Sequence, residues 1–205
     1  MYVPKQYGVL EYSAFDQSDV LREISSRSAT AAVTVMVPNS LGPGELLLQF
    51  GTEEQREYWL PKLARGEEIP CFGLTSPEAG SDAASMIDSG VICRDRFNGE
   101  EVLGIRLNWR KRYITLAPVA TVLGLAFKLR DPDRLLGDTE DYGITVALVP
   151  TDLPGVTVGR RPRPSSQMFQ TGPVEGYDRC LPPDPRYGAH EQAGQGRALP
   201  KAARA

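Results

Sequence analysis

A single histidine, His190, and three cysteines, Cys71, Cys93 and Cys180, are scattered through 205 residues. His190 has no cysteine or acidic partner at the spacing of a metal ligand set, which argues against a zinc site. The cysteines form no CxxC pair and their number is odd, so a disulfide framework is not expected and a reducing compartment is. Cys71 and Cys93 read as small buried hydrophobes rather than nucleophiles. Long apolar runs are lacking too. The two uncharged stretches, 28–44 and 113–127, are interrupted by proline or glycine and fall short of the ~18 apolar residues of a membrane span. Met1 to Lys5 lacks the basic start and apolar run of a signal peptide. A net charge of −3 gives no footprint for nucleic acid, and there is no internal repeat. What is plentiful is proline and glycine, 17 and 20 residues, above the usual ~5% and ~7% and concentrated after Pro150. The length allows one large or two small domains.

Helical signals come first. Ser13 with Asp16 three residues on is an acidic variant of the capping box. Phe15, Val20, Leu21 and Ile24 then share one face at helical spacing, and small residues carry the run to about Val37. Pro38-Asn39 breaks it. Gly42-Pro43-Gly44 precedes a short apolar helix over 45–50. It lacks the lysine and spacing of a phosphate loop, so helix punctuation is the better reading. Thr52 with Gln55 is a second capping box, opening a helix over 53–64 that Gly66 stops. Tyr58, Leu60 and Leu63 are its candidate core, and Trp59 is either core, the better reading, or interface.

The period changes after Ile69-Pro70. Extended runs are expected over 91–97, 101–108, 112–116, 119–129, 143–149 and 156–159, with Asn98-Gly99 as a hairpin turn. Short strands without intervening helices imply an antiparallel β domain, sandwich or barrel. Within it, Cys71-Phe-Gly-Leu-Thr-Ser-Pro-Glu-Ala-Gly-Ser-Asp82 begins as a strand and ends in a polar turn. Ser76-Pro77 ends the strand, and Gly80 offers a residue free to take positive φ. Such a turn is either an ordinary corner or a place where a polar ligand meets backbone donors. The basic stretch 160–164 reads as a solvated linker. From 173 onward the chain is hard to fold alone.

These residues carry a resemblance. The 71–82 run is similar to the opening of the middle domain of the flavin-dependent acyl-CoA dehydrogenases. Lys111-Arg-Tyr-Ile-Thr115 resembles that family's lysine-x-aromatic-Ile-Thr segment, and Asn39-Ser-Leu-Gly42 and Thr52-Glu-Glu-Gln55 resemble its helix-linking segments. The wording is most similar to the long bacterial type that serves fatty-acid β-oxidation. The resemblance implies an α+β fold: a partial N-terminal helical domain (1–69), an antiparallel sandwich- or barrel-like middle domain (70–164), and a degenerate end with an irregular tail (165–205).

It also implies a site. Phe72, Leu74 and Thr75 would meet the pyrimidine edge of FAD. Gly80 and Ser81 would lie at its pyrophosphate, with Ser81 also near the acyl-CoA arm. Tyr113 would cover one flavin face, Ile114 would contribute from the same segment, and Thr115 would hydrogen-bond N5. From the residues alone, Tyr113 could be strand core, Thr115 a β-former and Ser81 a turn residue. The implied reaction is dehydrogenation of a fatty acyl-CoA to the trans-2-enoyl-CoA, with an electron-transfer flavoprotein-type acceptor and homo-oligomeric full-length enzymes. The implied location is the bacterial cytoplasm, free or membrane-associated. In the family the catalytic glutamate comes from a C-terminal helical bundle. The sequence stops at Ala205 before any such segment, and similarity ends after Gly196. The expectation is therefore a truncated fragment in which no glutamate serves as base.

Overall fold

The computed structural model describes residues 4–37, 42–97, 99–160, 170–181 and 189–191. The basic stretch 161–164, the Asn39–Leu41 part of the helix-linking motif and the 192–205 tail lie outside them.

Four α-helices come first: α1 (Ala14–Ser25), α2 (Ala29–Met36), α3 (Pro43–Phe50) and α4 (Glu53–Arg65). The Ser13 hydroxyl accepts from the Asp16 N–H and the Asp16 carboxylate accepts from the Ser13 N–H, closing the capping box. The helix does not run on to residue 37 as expected. Ser28 takes an extended backbone and accepts from the Ala31 N–H, so a new N-cap interrupts the run and starts α2. The shared apolar face of α1 is not core either: Phe15 and Val20 are exposed, and Leu21 and Ile24 are only half-buried. α4 opens on the Thr52–Gln55 box and ends where Gly66 adopts the left-handed conformation, φ 69°. Gly51 ends α3 differently. Its φ is −65°, and a β-carbon there would stand 2.4 Å from the Leu47 carbonyl oxygen. Leu47, Trp59, Leu60 and Leu63 pack against Val122 and Leu148 of the sheet. Truncating Leu60, which is fully buried, would cost about 2–5 kcal/mol.

The strands are β1 (Pro70–Gly73), β2 (Ser89–Phe97), β3 (Glu100–Thr115), β4 (Val122–Arg130), β5 (Asp141–Pro150), β6 (Val156–Val158), β7 (Thr171–Leu181) and β8 (Ala189–Glu191). They form one sheet in the order β6-β7-β3-β2-β4-β5-β8, with β1 also paired to β4. Most neighbours are antiparallel, but β1 and β2 both run parallel to β4. The expected antiparallel domain is present, and the two parallel pairings on β4 make it a curled mixed sheet. The cause is local. β1 pairs with residues 122–125 of β4 and β2 with residues 128–130, along the same edge. Between them the chain leaves the sheet over residues 74–88 and returns to the same edge in the same direction.

Two further expectations change. The runs 101–108 and 112–116 are one sixteen-residue strand, β3, because bulges between Leu107/Trp109 and Lys111/Ile114 absorb its irregularity. The stretch 171–181, expected to be degenerate, forms β7, and its Val174 and Leu181 are buried. β4 is buried from Val122 to Phe127, as a fully enclosed strand should be. In the long loop after it, the Asp131 carboxylate accepts the N–H groups of Leu135 and Leu136 at 2.9 and 2.7 Å. Among the described residues no helix is long and apolar enough to cross a membrane.

Candidate functional site

The excursion 74–88 is built on β3. At its start the Lys111 ammonium donates to the Leu74 carbonyl at 3.0 Å, and the Arg112 N–H donates to the Thr75 carbonyl at 3.0 Å. At its end Asp88 Oδ1 accepts from the Arg110 N–H at 2.8 Å and Oδ2 lies 2.5 Å from Lys111 Nζ, while the Asp88 carbonyl accepts from the Lys128 N–H at 2.9 Å. The Lys111 side chain is 0% exposed and that of Asp88 2%. Burial pushes the Lys111 ammonium below the usual lysine range, and the Asp88 carboxylate opposes that shift.

Within the excursion the Ser76 N–H donates to the Ala79 carbonyl at 3.0 Å, and Ala79 packs with Leu46, Met86, Ala126 and Val146. The Ser76 hydroxyl is buried without a partner. Gly80, Ser81 and Asp82 form the exposed apex, and the Ser85 hydroxyl donates to Asp82. Gly80 does not adopt positive φ, contrary to expectation. What distinguishes it is open space, since a β-carbon there would meet nothing within 4 Å.

Opposite the Leu74-Thr75 corner, β3 is distorted. Tyr113 has φ 57° and is 60% exposed, just at the bulge between Lys111 and Ile114. This excludes strand core for its ring. An aromatic residue in the left-handed region is strained by about 1–3 kcal/mol, the kind of strain that clusters at functional sites. The Arg112 guanidinium lies 5.1 Å from the centre of the Tyr113 ring. Ile114 is buried in the main core and pairs with Gly172 of β7, so its side chain is closed to a ligand. Thr115 is half-buried and paired with Thr171. The hydroxyls of Thr75 and Thr115 have no hydrogen-bond partner among the described residues. Phe72 and Leu74 are half-buried against the Met86–Ala126 cluster. The fold thus brings Thr75 beside Arg112 and Tyr113, whereas Gly80 and Ser81 stand apart at the apex.

Comparison with known proteins identifies the family. The model of the acyl-CoA dehydrogenase N-terminal domain matches residues 1–67, and that of the acyl-CoA dehydrogenase middle domain matches residues 71–176. The chain belongs to the acyl-CoA dehydrogenase family. An acyl-CoA dehydrogenase of Bacillus subtilis (strain 168) is 34% identical over 161 residues, covering 78% of this chain and 38% of the relative. The mitochondrial short-chain specific acyl-CoA dehydrogenase of Homo sapiens is 34% identical over 163 residues, covering 78% and 35%. Among solved structures, a glutaryl-CoA dehydrogenase from Mycobacterium smegmatis in complex with FADH2 superposes with a TM-score of 0.71 at 28% identity, covering 98% of this chain and 44% of that one. The chain spans less than half the length of these acyl-CoA dehydrogenases.

Sequence reasoning gave no role to Lys111, Asp88 or Arg112. One signal was available for Lys111. Leu107, Trp109 and Lys111 alternate inward along β3, so strand parity alone aims this lysine at the core.

Proposed function

We propose that this chain forms the FAD cradle and part of the acyl-CoA site of an enzyme that dehydrogenates fatty acyl-CoA thioesters to trans-2-enoyl-CoA. The observation that carries the reading is a strained and exposed aromatic residue, Tyr113, next to the corner where the Arg112 N–H holds the Thr75 carbonyl. Donors and an aromatic cover are what a neutral flavin needs as it takes up charge. The residues therefore fit the group. FAD, when bound, supplies the two-electron acceptor for the hydride leaving Cβ.

The protein's own contributions are those that the family resemblance implies. Thr75, with the backbones of Phe72 and Leu74, holds the polar pyrimidine edge. The Thr115 hydroxyl donates at the hydride-accepting side, Tyr113 shields the ring from water, and Ile114 contributes through its backbone. Gly80 and Ser81 approach the pyrophosphate, the glycine because nothing projects from it. Ser81 also meets the CoA arm. None of this chain's glutamates is assigned the α-proton. Electrons would pass to an electron-transfer flavoprotein-type acceptor, and the full-length enzyme would be a homo-oligomer, as the family resemblance implies.

Titration of the purified protein with FAD, followed by anaerobic addition of acyl-CoA, tests the reading. Saturable quenching of flavin fluorescence is expected, and bleaching of the visible flavin band identifies the dehydrogenase. Uptake of FAD without bleaching upholds the cradle and is shared with a non-catalytic flavin- and acyl-CoA-binding module, because no glutamate of this chain is assigned the α-proton. Protein that stays colourless and quenches nothing refutes both.

A further inference from the structure

We propose that Lys111 and Asp88 are positioning residues that aim the Thr75 N–H at the flavin. This rests on the reading of 70–82 as a flavin cradle and adds to it a device for orienting the donor.

No peptide bond in the described structure is cis. In a trans peptide the carbonyl and the following N–H point in opposite directions. Lys111 holds the Leu74 carbonyl toward the buried side of β3, so the Thr75 N–H is turned away from it. The next peptide is fixed in the opposite sense. Its carbonyl, that of Thr75, accepts from the Arg112 N–H, and its N–H, that of Ser76, donates to Ala79. Two consecutive peptides are thus locked, and one N–H is directed outward at the corner beside Tyr113.

Lysine is needed because the task is to reach a carbonyl, not to fill space. Apolar side chains of similar volume often hold a fold as well as a buried ion pair does. Here the ammonium spans two partners, Asp88 Oδ2 and the Leu74 carbonyl. Asp88 is itself held at both its carboxylate and its carbonyl, by Arg110 and Lys128. Gly73 makes room for the lysine stem, since a β-carbon there would stand 3.4 Å from Lys111 Cγ and 2.9 Å from Leu123 Cδ1. Residues 110–112 therefore grip both ends of the excursion.

The test is the double variant Lys111→Met with Asp88→Asn in the full chain. Asparagine still accepts from the Arg110 N–H, and no unpaired charge is left buried. The melting temperature should stay within a few degrees of wild type, while the FAD dissociation constant rises at least tenfold and the visible band of bound flavin shifts. A folded double variant with wild-type affinity and spectrum overturns the proposal. A second measurement needs no variant. In wild-type protein the Thr75 amide should exchange rapidly without FAD and become protected when FAD is added. An amide already protected without FAD, and unchanged by it, overturns the proposal even if the double variant does not fold. Wild-type protein that takes up no FAD overturns the functional reading and this proposal together. Wild-type binding matched by the folded double variant overturns this proposal alone.

Discussion

The indole of Trp109 on β3 lies so close to the backbone of Gly176 on β7 that a β-carbon at position 176 would stand 2.0 Å from the ring's Cη2. The two residues are register partners immediately after a bulge, and Trp109 is buried. The β3–β7 seam therefore closes only because one side presents no side chain at this point. Gly176→Ala must displace a rigid bicyclic ring or part the strands. Overpacking of this kind costs about 1–3 kcal/mol. In urea the unfolding midpoint should fall with little change in slope. An unchanged midpoint would mean that β7 does not pack on β3 as described.

Gly80 gives the opposite case. It has no positive φ, and a β-carbon there would project into open space. Gly80→Ala should leave stability within about 0.5 kcal/mol of wild type. If the apex lies against the FAD pyrophosphate, the added methyl group stands where the phosphates approach, and FAD affinity should fall severalfold. The prediction is a split between melting temperature and flavin dissociation constant measured on the same sample. Equal affinity in Gly80→Ala would remove Gly80 from the phosphate site.

Local signals were legible in the sequence wherever one residue decides the backbone. Both capping boxes and the Gly66 stop depend on neighbours within a few positions, while Asn98 of the expected Asn98-Gly99 turn lies outside the described residues. The long-range features were not. Nothing near Asp88 in sequence marks it as the partner of a lysine twenty-three residues later. That pairing exists because β1 and β2 share one edge of β4 and force the excursion between them across β3. The split of β3 into two expected strands has a related cause, since bulges hide continuity from a period-two reading. At the candidate site the chain gave up Tyr113 and Thr115 only through a motif. Tyr113 looks like strand core by composition, and its exposure comes from a bulge that only the pairing with β7 reveals.

Cys71 connects the core to pH. It is buried on β1, and burial pushes its thiol from 9.0 up to about 12. The folded state then holds the proton across a range in which the unfolded chain releases it. The resulting stabilisation is complete below pH 9 and is lost as pH rises toward 12, with a slope of up to about 1.4 kcal/mol per pH unit. The Cys180 thiol is also pushed up to about 12 and adds in the same sense. Cys71→Ala should flatten the decline of stability between pH 9 and 12, whatever its effect at neutral pH. Ellman's reagent at pH 8 should leave Cys71 unlabelled until the protein unfolds. Rapid labelling of Cys71 in the native state, or an unaltered alkaline slope in the variant, would contradict its burial.

Tyr113 sets stability against ligand binding. Its left-handed backbone is strained for any side chain, and its ring is more than half exposed. Replacing it with glycine removes the steric conflict at φ 57° and gives up little buried area. Losing the stacked Arg112 guanidinium forfeits about 0.5–1 kcal/mol at such an exposed position. Relief of left-handed strain returns about 1–2 kcal/mol. With glycine's own entropic cost of about 0.5–1 kcal/mol, the balance for Tyr113→Gly is a stability within about 1 kcal/mol of wild type. The flavin reading demands a loss in binding instead. Without the ring, one face of the bound isoalloxazine is open to water, so FAD should bind more weakly and fluoresce more brightly. Tyr113→Phe keeps the cover and should restore both properties. Thermal melts and FAD fluorescence on the three proteins decide the matter. A Tyr113→Gly protein that loses stability beyond that range, or one that binds FAD with unchanged quenching, shows that the strained tyrosine serves the fold and not the flavin.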